Sequence, residues 1–162
     1  MPPCFVFSIS KDKLMTTPPI ETVFQQIREI MQWYYDTSAS DTDIADLINQ
    51  KDRLAVLSFY LAEESAKAKR IYNRSYYIRK IEVSKAKHGM MASKRTRTLG
   101  EAEALSTSEN AELFSKEMEH EAMSYMLDTL LRQINHILMA MRDRFTWLKS
   151  EWEQQKAMAN MR

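Results

Sequence analysis

The greatest chemical capacity in this chain lies between Lys67 and Arg97. Lys67, Lys69, Arg70, Arg74, Arg79, Lys80, Lys85, Lys87, Lys94, Arg95 and Arg97 are opposed there by a single acid, Glu82, and Tyr72, Tyr76 and Tyr77 are interleaved among them. Cations for phosphates and flat rings for bases are what single-stranded nucleic acid or a nucleotide requires. The candidate anion-binding residues are therefore Arg70, Arg74, Tyr72, Tyr76 and Tyr77 on a helix, with Lys94, Arg95 and Arg97 in the loop that follows.

The next segment competes for the same cations. Residues 101–121 carry Glu101, Glu103, Glu109, Glu112, Glu117, Glu119 and Glu121 against only Lys116. If the chain turns back near residues 89–108, this acidic stretch lies beside the basic one and the charges pair within or between subunits. Solvated pairs stabilise by only about 0–1 kcal/mol each, but they help to fix register and reduce a long-range field. Internal pairing is the favoured reading and an anion-binding surface the alternative. For the tyrosines the corresponding bland role is a core edge with a wet hydroxyl.

Other chemistry is thinly represented. Glu117 and His120 have the E-x-x-H spacing of helical di-iron sites, but such sites need a second E-x-x-H and further carboxylates on facing helices, which the sequence lacks. His88 and His136 have no such partner. Cys4 is the single cysteine and sits in the apolar run Cys4-Phe5-Val6-Phe7, so neither an intrachain disulfide nor a Cys-rich zinc site is expected. No nucleophile arrangement or phosphate-cradling loop stands out. The expectation is a non-enzyme with no catalytic residue, no metal and no cofactor.

The elements that position these residues follow from composition. The chain of 162 residues has two glycines, and its four prolines all precede residue 20. So few turn-forming residues argue against repeated strands and for long helices, hence an all-α fold. A hydrophobic share of 44% and a charged share of 28% fit a soluble helical protein, and a net charge of +1 supplies no global field for nucleic acid or membrane. No stretch reaches the ~18 apolar residues of a membrane span and no leader is recognised, so a cytoplasmic location without membrane contact is expected.

Residues 1–16 read as an N-terminal arm and 17–162 as a single helical domain. Pro18 and Pro19 suit a first helical turn, and Ile20, Val23, Phe24, Ile27, Ile30 and Met31 share one stripe, which predicts a helix over about 19–35. Asp41 or Thr42 can cap a second helix over about 42–88, roughly 70 Å long, ended by Gly89 in a left-handed conformation. Thr98 with Glu101 and Ser106 with Glu109 read as capping boxes, which predict a short helix at about 101–105 and a last helix over about 108–158.

That last helix carries a ladder at alternating spacings of four and three, namely Leu127, Leu131, Ile134, Leu138, Met141, Phe145, Leu148 and Trp152. Such a seam lies against a partner along its length. Leu130 and Ile137 widen it, so a second neighbour is needed, supplied either by the first helix or by another copy. The architecture expected is a short helix plus an antiparallel hairpin of two very long helices, completed by homo-oligomerisation. The methionines along it serve as pliable packing residues.

From Leu61 to Trp152 the order of features is an Ala/Ser-rich helix entering Arg70-Ile71-Tyr72, a Lys/Arg/Thr loop, Thr98-Leu99-Gly100-Glu101-Ala102-Glu103-Ala104, and a closing apolar ladder. It resembles small helical-hairpin proteins of tailed bacteriophages and prophages. The resemblance implies a bacterial host cytoplasm, an accessory part in viral DNA metabolism or in countering host defence, and a host or phage protein as partner. It carries over no catalytic residue.

Overall fold

The computed structural model describes residues 18–95 and 98–160. The expected arm at residues 1–16 and the candidate Arg97 lie outside them. The described residues form four helices and no strand: α1 (Ile20–Asp36), α2 (Ile44–Ala92), α3 (Leu99–Glu109) and α4 (Ala111–Asn160).

Helix α1 begins where Pro19 sets an extended backbone, with Glu21 in the first turn near the positive end of the dipole. It buries Val23, Ile27 and Ile30. Helix α2 is capped neither by Asp41 nor by Thr42. Asp43 accepts hydrogen bonds from the N–H groups of Ala45 and Asp46 at 2.7 and 3.2 Å. Thr42 is instead buried, its hydroxyl donating to the Ser38 carbonyl at 2.7 Å, which closes the turn between α1 and α2.

With no proline to interrupt it, α2 runs for 49 residues, about 73 Å at ~1.5 Å per residue. Gly89 does not end it. Neither glycine has a positive φ, and the helix continues to Ala92, where Lys94 takes the left-handed conformation at φ 55°. The Lys94 and Arg95 N–H groups then donate to the Met91 and Met90 carbonyls, satisfying two of the orphan acceptors of a helix end.

The first expected capping box forms, with the Thr98 hydroxyl accepting from the Glu101 N–H at 3.1 Å. The second does not. Ser106 is fully buried inside α3, its hydroxyl turned back to the Glu103 carbonyl, and the helix runs on to Glu109. The break comes at Asn110, whose side-chain amide donates to the Ser106 carbonyl at 2.8 Å while its own carbonyl accepts from Leu113. A polar side chain that competes for backbone groups thus divides what would otherwise be one helix.

Helices α2 and α4 lie side by side in opposite directions. Ser65 meets Asp128, Ser75 meets His120 and Arg79 meets Glu117. Leu47, Leu54, Leu57 and Leu61 of α2 pack with Leu127, Ile134, Ile137 and Met141 of α4 and with the buried residues of α1 in one core. Each such side chain contributes about 1.5–3 kcal/mol relative to exposure.

The apolar ladder is therefore filled inside the subunit from Leu127 to Leu148, with Leu131, Leu138 and Phe145 half-buried against the core. Of its eight positions only Trp152 is exposed, on the last turns of α4 that extend past the start of α2. The widened flank of Leu130 and Ile137 is covered by α1, whose Phe24, Ile27 and Met31 face Leu130 and Met126. Arg144 fixes α1 and its turn to α4. The guanidinium lies 4.1 Å from the centre of the Tyr34 ring and donates to the Thr37 carbonyl at 3.0 Å and the Thr42 hydroxyl at 3.3 Å.

Candidate functional site

The basic stretch occupies the second half of α2, which the first turns of α1 meet only near Lys67 and Ile71 and whose further neighbours are α3 and the start of α4. Its inward cations are paired. Arg79, only 19% exposed, is gripped through Nε and Nη2 by the Glu117 carboxylate and lies 4.5 Å from the centre of the Phe114 ring. The hydrogen bonds that Arg79 donates to Glu117 hold its pKa above the ordinary value, because they favour the charged guanidinium. Lys87 reaches Glu103 at 3.5 Å and Arg95 reaches Glu109 at 2.9 Å. These contacts join α2 and its loop to the acidic segment.

Tyr72 is half-buried at the same junction, its hydroxyl donating to Glu121 at 3.5 Å. Burial, then the charges of Glu121 and Glu117, push its pKa upward, because each disfavours the phenolate. Tyr76 is also half-buried, with Arg79 and Lys80 over its ring at 5.3 and 5.8 Å, and meets Tyr77 edge-on. Tyr72 and Tyr76 thus serve the helix junction, while Tyr77 is 62% exposed.

The outward cations are differently placed. Arg70 and Arg74 are exposed on α2, and Lys94 is exposed in the loop; the side chain of none of the three makes an ion pair or hydrogen bond among the described residues. The seven candidates among the described residues are thus split. Arg70, Arg74 and Tyr77 face solvent together, Tyr72 faces α4, Tyr76 is half-buried against Arg79 and Lys80 of its own helix, and Lys94 and Arg95 sit at the far loop. Glu117 and His120 are engaged with Arg79 and with the Ser75 hydroxyl, the latter at 2.6 Å. Among the described residues no group of three His, Cys, Asp or Glu is placed to hold a metal.

Two features were not anticipated from sequence. One is an open apolar groove of ≈ 500 Å³ between α1 and α4, lined by Phe24, Ile27, Met31, Tyr35, Met126 and Leu130, with Arg28 at its edge. The other is the outward face of α2, where Ile48, Val56, Phe59, Tyr77 and Ile81 are 41–77% exposed. Its signal is present in the sequence as a second apolar periodicity on α2, hidden because the leucine repeat dominates the same helix.

No helix among the described residues is long and apolar enough to cross a membrane. Comparison with protein-family models, with curated proteins and with solved structures finds no match.

Proposed function

We propose that this chain is a non-enzymatic, self-associating helical interaction protein, a phage accessory component of the bacterial host cytoplasm that acts through contacts along its helix faces. In this reading the two long helices are an antiparallel hairpin whose assembly is completed by further copies or by a host or phage partner. One observation carries it: the face of α2 turned away from the core presents large apolar side chains, Phe59 at 77% and Val56 at 54% exposure among them. A helix whose core face is already satisfied gains nothing from a second apolar stripe unless another surface covers it. The likeness of residues 61–152 to small phage hairpin proteins supports the setting.

Sedimentation velocity at low and high salt tests this reading. The chain is expected to sediment as an elongated oligomer of its 19.1 kDa subunit, with a size that persists in high salt because the contact is apolar. A monomer under both conditions contradicts it.

A second reading is favoured by the unpaired state of Arg70 and Arg74 beside exposed Tyr77. These three offer two phosphate partners and a stacking ring to single-stranded nucleic acid or to a nucleotide, including a nucleotide signal of host defence. Fluorescence anisotropy with a labelled single-stranded oligonucleotide, and calorimetry with nucleotides, test it. Binding is expected to weaken steeply with salt and in the Arg70→Ala/Arg74→Ala variant. Unchanged affinity in that variant removes this face and leaves Lys94, Arg95 and Arg97 to be examined.

A further inference from the structure

The outward face of α2 has an internal symmetry that specifies a partner. Phe59 and Tyr77 are about five helical turns apart and point the same way, opposite the buried Leu54 and Leu61. Between them on this face come Glu63, Ala66, Arg70 and Arg74, with Val56 and Ile81 extending the stripe at either end. Steps of three and four separate neighbouring stripe residues from Val56 to Ile81, as on a helix that packs along another. All of these residues except Ala66 and the charged ones are large and apolar, and all are exposed.

Reversing this stripe about the midpoint between Ala66 and Lys67 maps it onto its own complement. Glu63 falls opposite Arg70, Phe59 opposite Arg74 and Val56 opposite Tyr77. Asp52, which has no hydrogen bond or ion pair among the described residues, falls beside Lys80 and Ile81. An acid meets a base, a ring meets a guanidinium and an apolar side chain meets an aromatic one, each contact occurring twice. That is the condition for an isologous two-fold interface, in which one surface is its own partner. Beside the axis Ala66 falls opposite Lys67 of the other copy, and its small side chain lets the two backbones approach closely. The neighbouring Lys67 is held by Glu64 and Glu63 at 2.6 and 3.2 Å, so two copies of that ammonium are matched by four carboxylates.

We infer that two copies of this chain dock antiparallel through the exposed face of α2, with the two-fold axis between Ala66 and Lys67 and Glu63 of each copy paired with Arg70 of the other. The inference rests on the self-association proposed above and names its surface and register. From Asp52 to Ile81 the contact runs for about 44 Å along each helix. The apolar residues supply the attraction, while the charges choose the direction, because a parallel pairing sets Glu63 against Glu63 and Arg70 against Arg70. Arg70 and Arg74 thereby acquire the counterparts that they lack within one subunit.

Charge exchange tests the register. In sedimentation equilibrium, Glu63→Arg and Arg70→Glu alone are each expected to raise the dimer Kd at least about tenfold, since each sets like charges opposite at two places. Mixing the two single variants, or combining both changes in one chain, is expected to restore association, because every acid again faces a base. The residues are exposed, so circular dichroism should show the helical fold intact in each variant. As a second measurement, Ala66→Cys in a Cys4→Ser background should form a disulfide-linked dimer on mild oxidation, whereas Met139→Cys, on the far face of α4, should not. Wild-type association with no response to either charge change overturns this surface while leaving self-association standing. Loss in Arg70→Glu that the mixture does not repair overturns the Glu63 pairing. A wild-type chain that remains monomeric refutes the self-association itself and this inference with it.

Discussion

At the scale of single residues, the most consequential side chain is one that no motif marks. Arg144 ties α4 to the Tyr34 ring, the Thr37 carbonyl and the Thr42 hydroxyl. Arg144→Ala removes charge-assisted hydrogen bonds at a partly buried junction and is expected to cost about 2 kcal/mol in denaturant unfolding, with Arg144→Lys recovering only part because the planar fork is lost. Sequence reading could not find it, since its partners lie more than 100 residues away in the chain and form no motif. Tyr72 was legible as a tyrosine of the basic run but not as the neighbour of Glu121. Its raised pKa gives a sign that can be checked. The folded state holds the phenol proton more tightly than the unfolded chain, so this contribution is complete below the ordinary tyrosine value. It is lost as pH rises through the elevated folded value. A phenolate absorbance titration should show one tyrosine ionising late, and Glu121→Gln should bring it back toward the ordinary range.

At the scale of elements, the ladder on α4 and the stripe on α1 were readable because apolar spacing survives any tertiary context, and Ile134 and Ile27 are indeed buried. Ile134→Ala should cost about 2–5 kcal/mol in thermal or chemical unfolding. Trp152→Ala, on the exposed end of the same ladder, should leave stability unchanged within about 0.5 kcal/mol. Helix ends were less readable. A glycine is a good stop only if the chain needs a left-handed residue there, and that residue proves to be Lys94. Two substitutions follow from the difference. Gly89→Ala meets nothing within 4 Å and should stabilise α2 by roughly 0.5–1 kcal/mol, and Lys94→Gly should relieve a left-handed backbone by about 1 kcal/mol. The Ser106 capping box failed for a related reason: a serine fully buried within α3 bonds back to its own helix instead of starting a new one.

At the scale of the whole molecule, the expected proximity of basic and acidic segments is realised by Arg79 with Glu117, Lys87 with Glu103 and Arg95 with Glu109. That pairing draws the inward cations out of any ligand site and leaves Arg70, Arg74 and Lys94 outside it. The need for a partner has also moved. On sequence alone it belonged to the ladder of α4, but α2 packs along that ladder and fills it within the subunit. Apolar surface is left over on the opposite side of α2, where Val56, Phe59, Tyr77 and Ile81 face away from the core, and in the open groove between α1 and α4. The distinction was invisible in the sequence because periodicity gives the faces of a helix without saying which neighbour each one receives.

Sedimentation equilibrium of the unaltered chain beside Phe59→Arg bears most directly on the claim that this outward face carries the function. Phe59 is 77% exposed, so the change spares the core while setting a second guanidinium against the Arg74 that the proposed register places opposite it. The unaltered chain should fit a multiple of 19.1 kDa in high salt and the variant a single subunit with unchanged helicity. Equal masses for the two would contradict the claim.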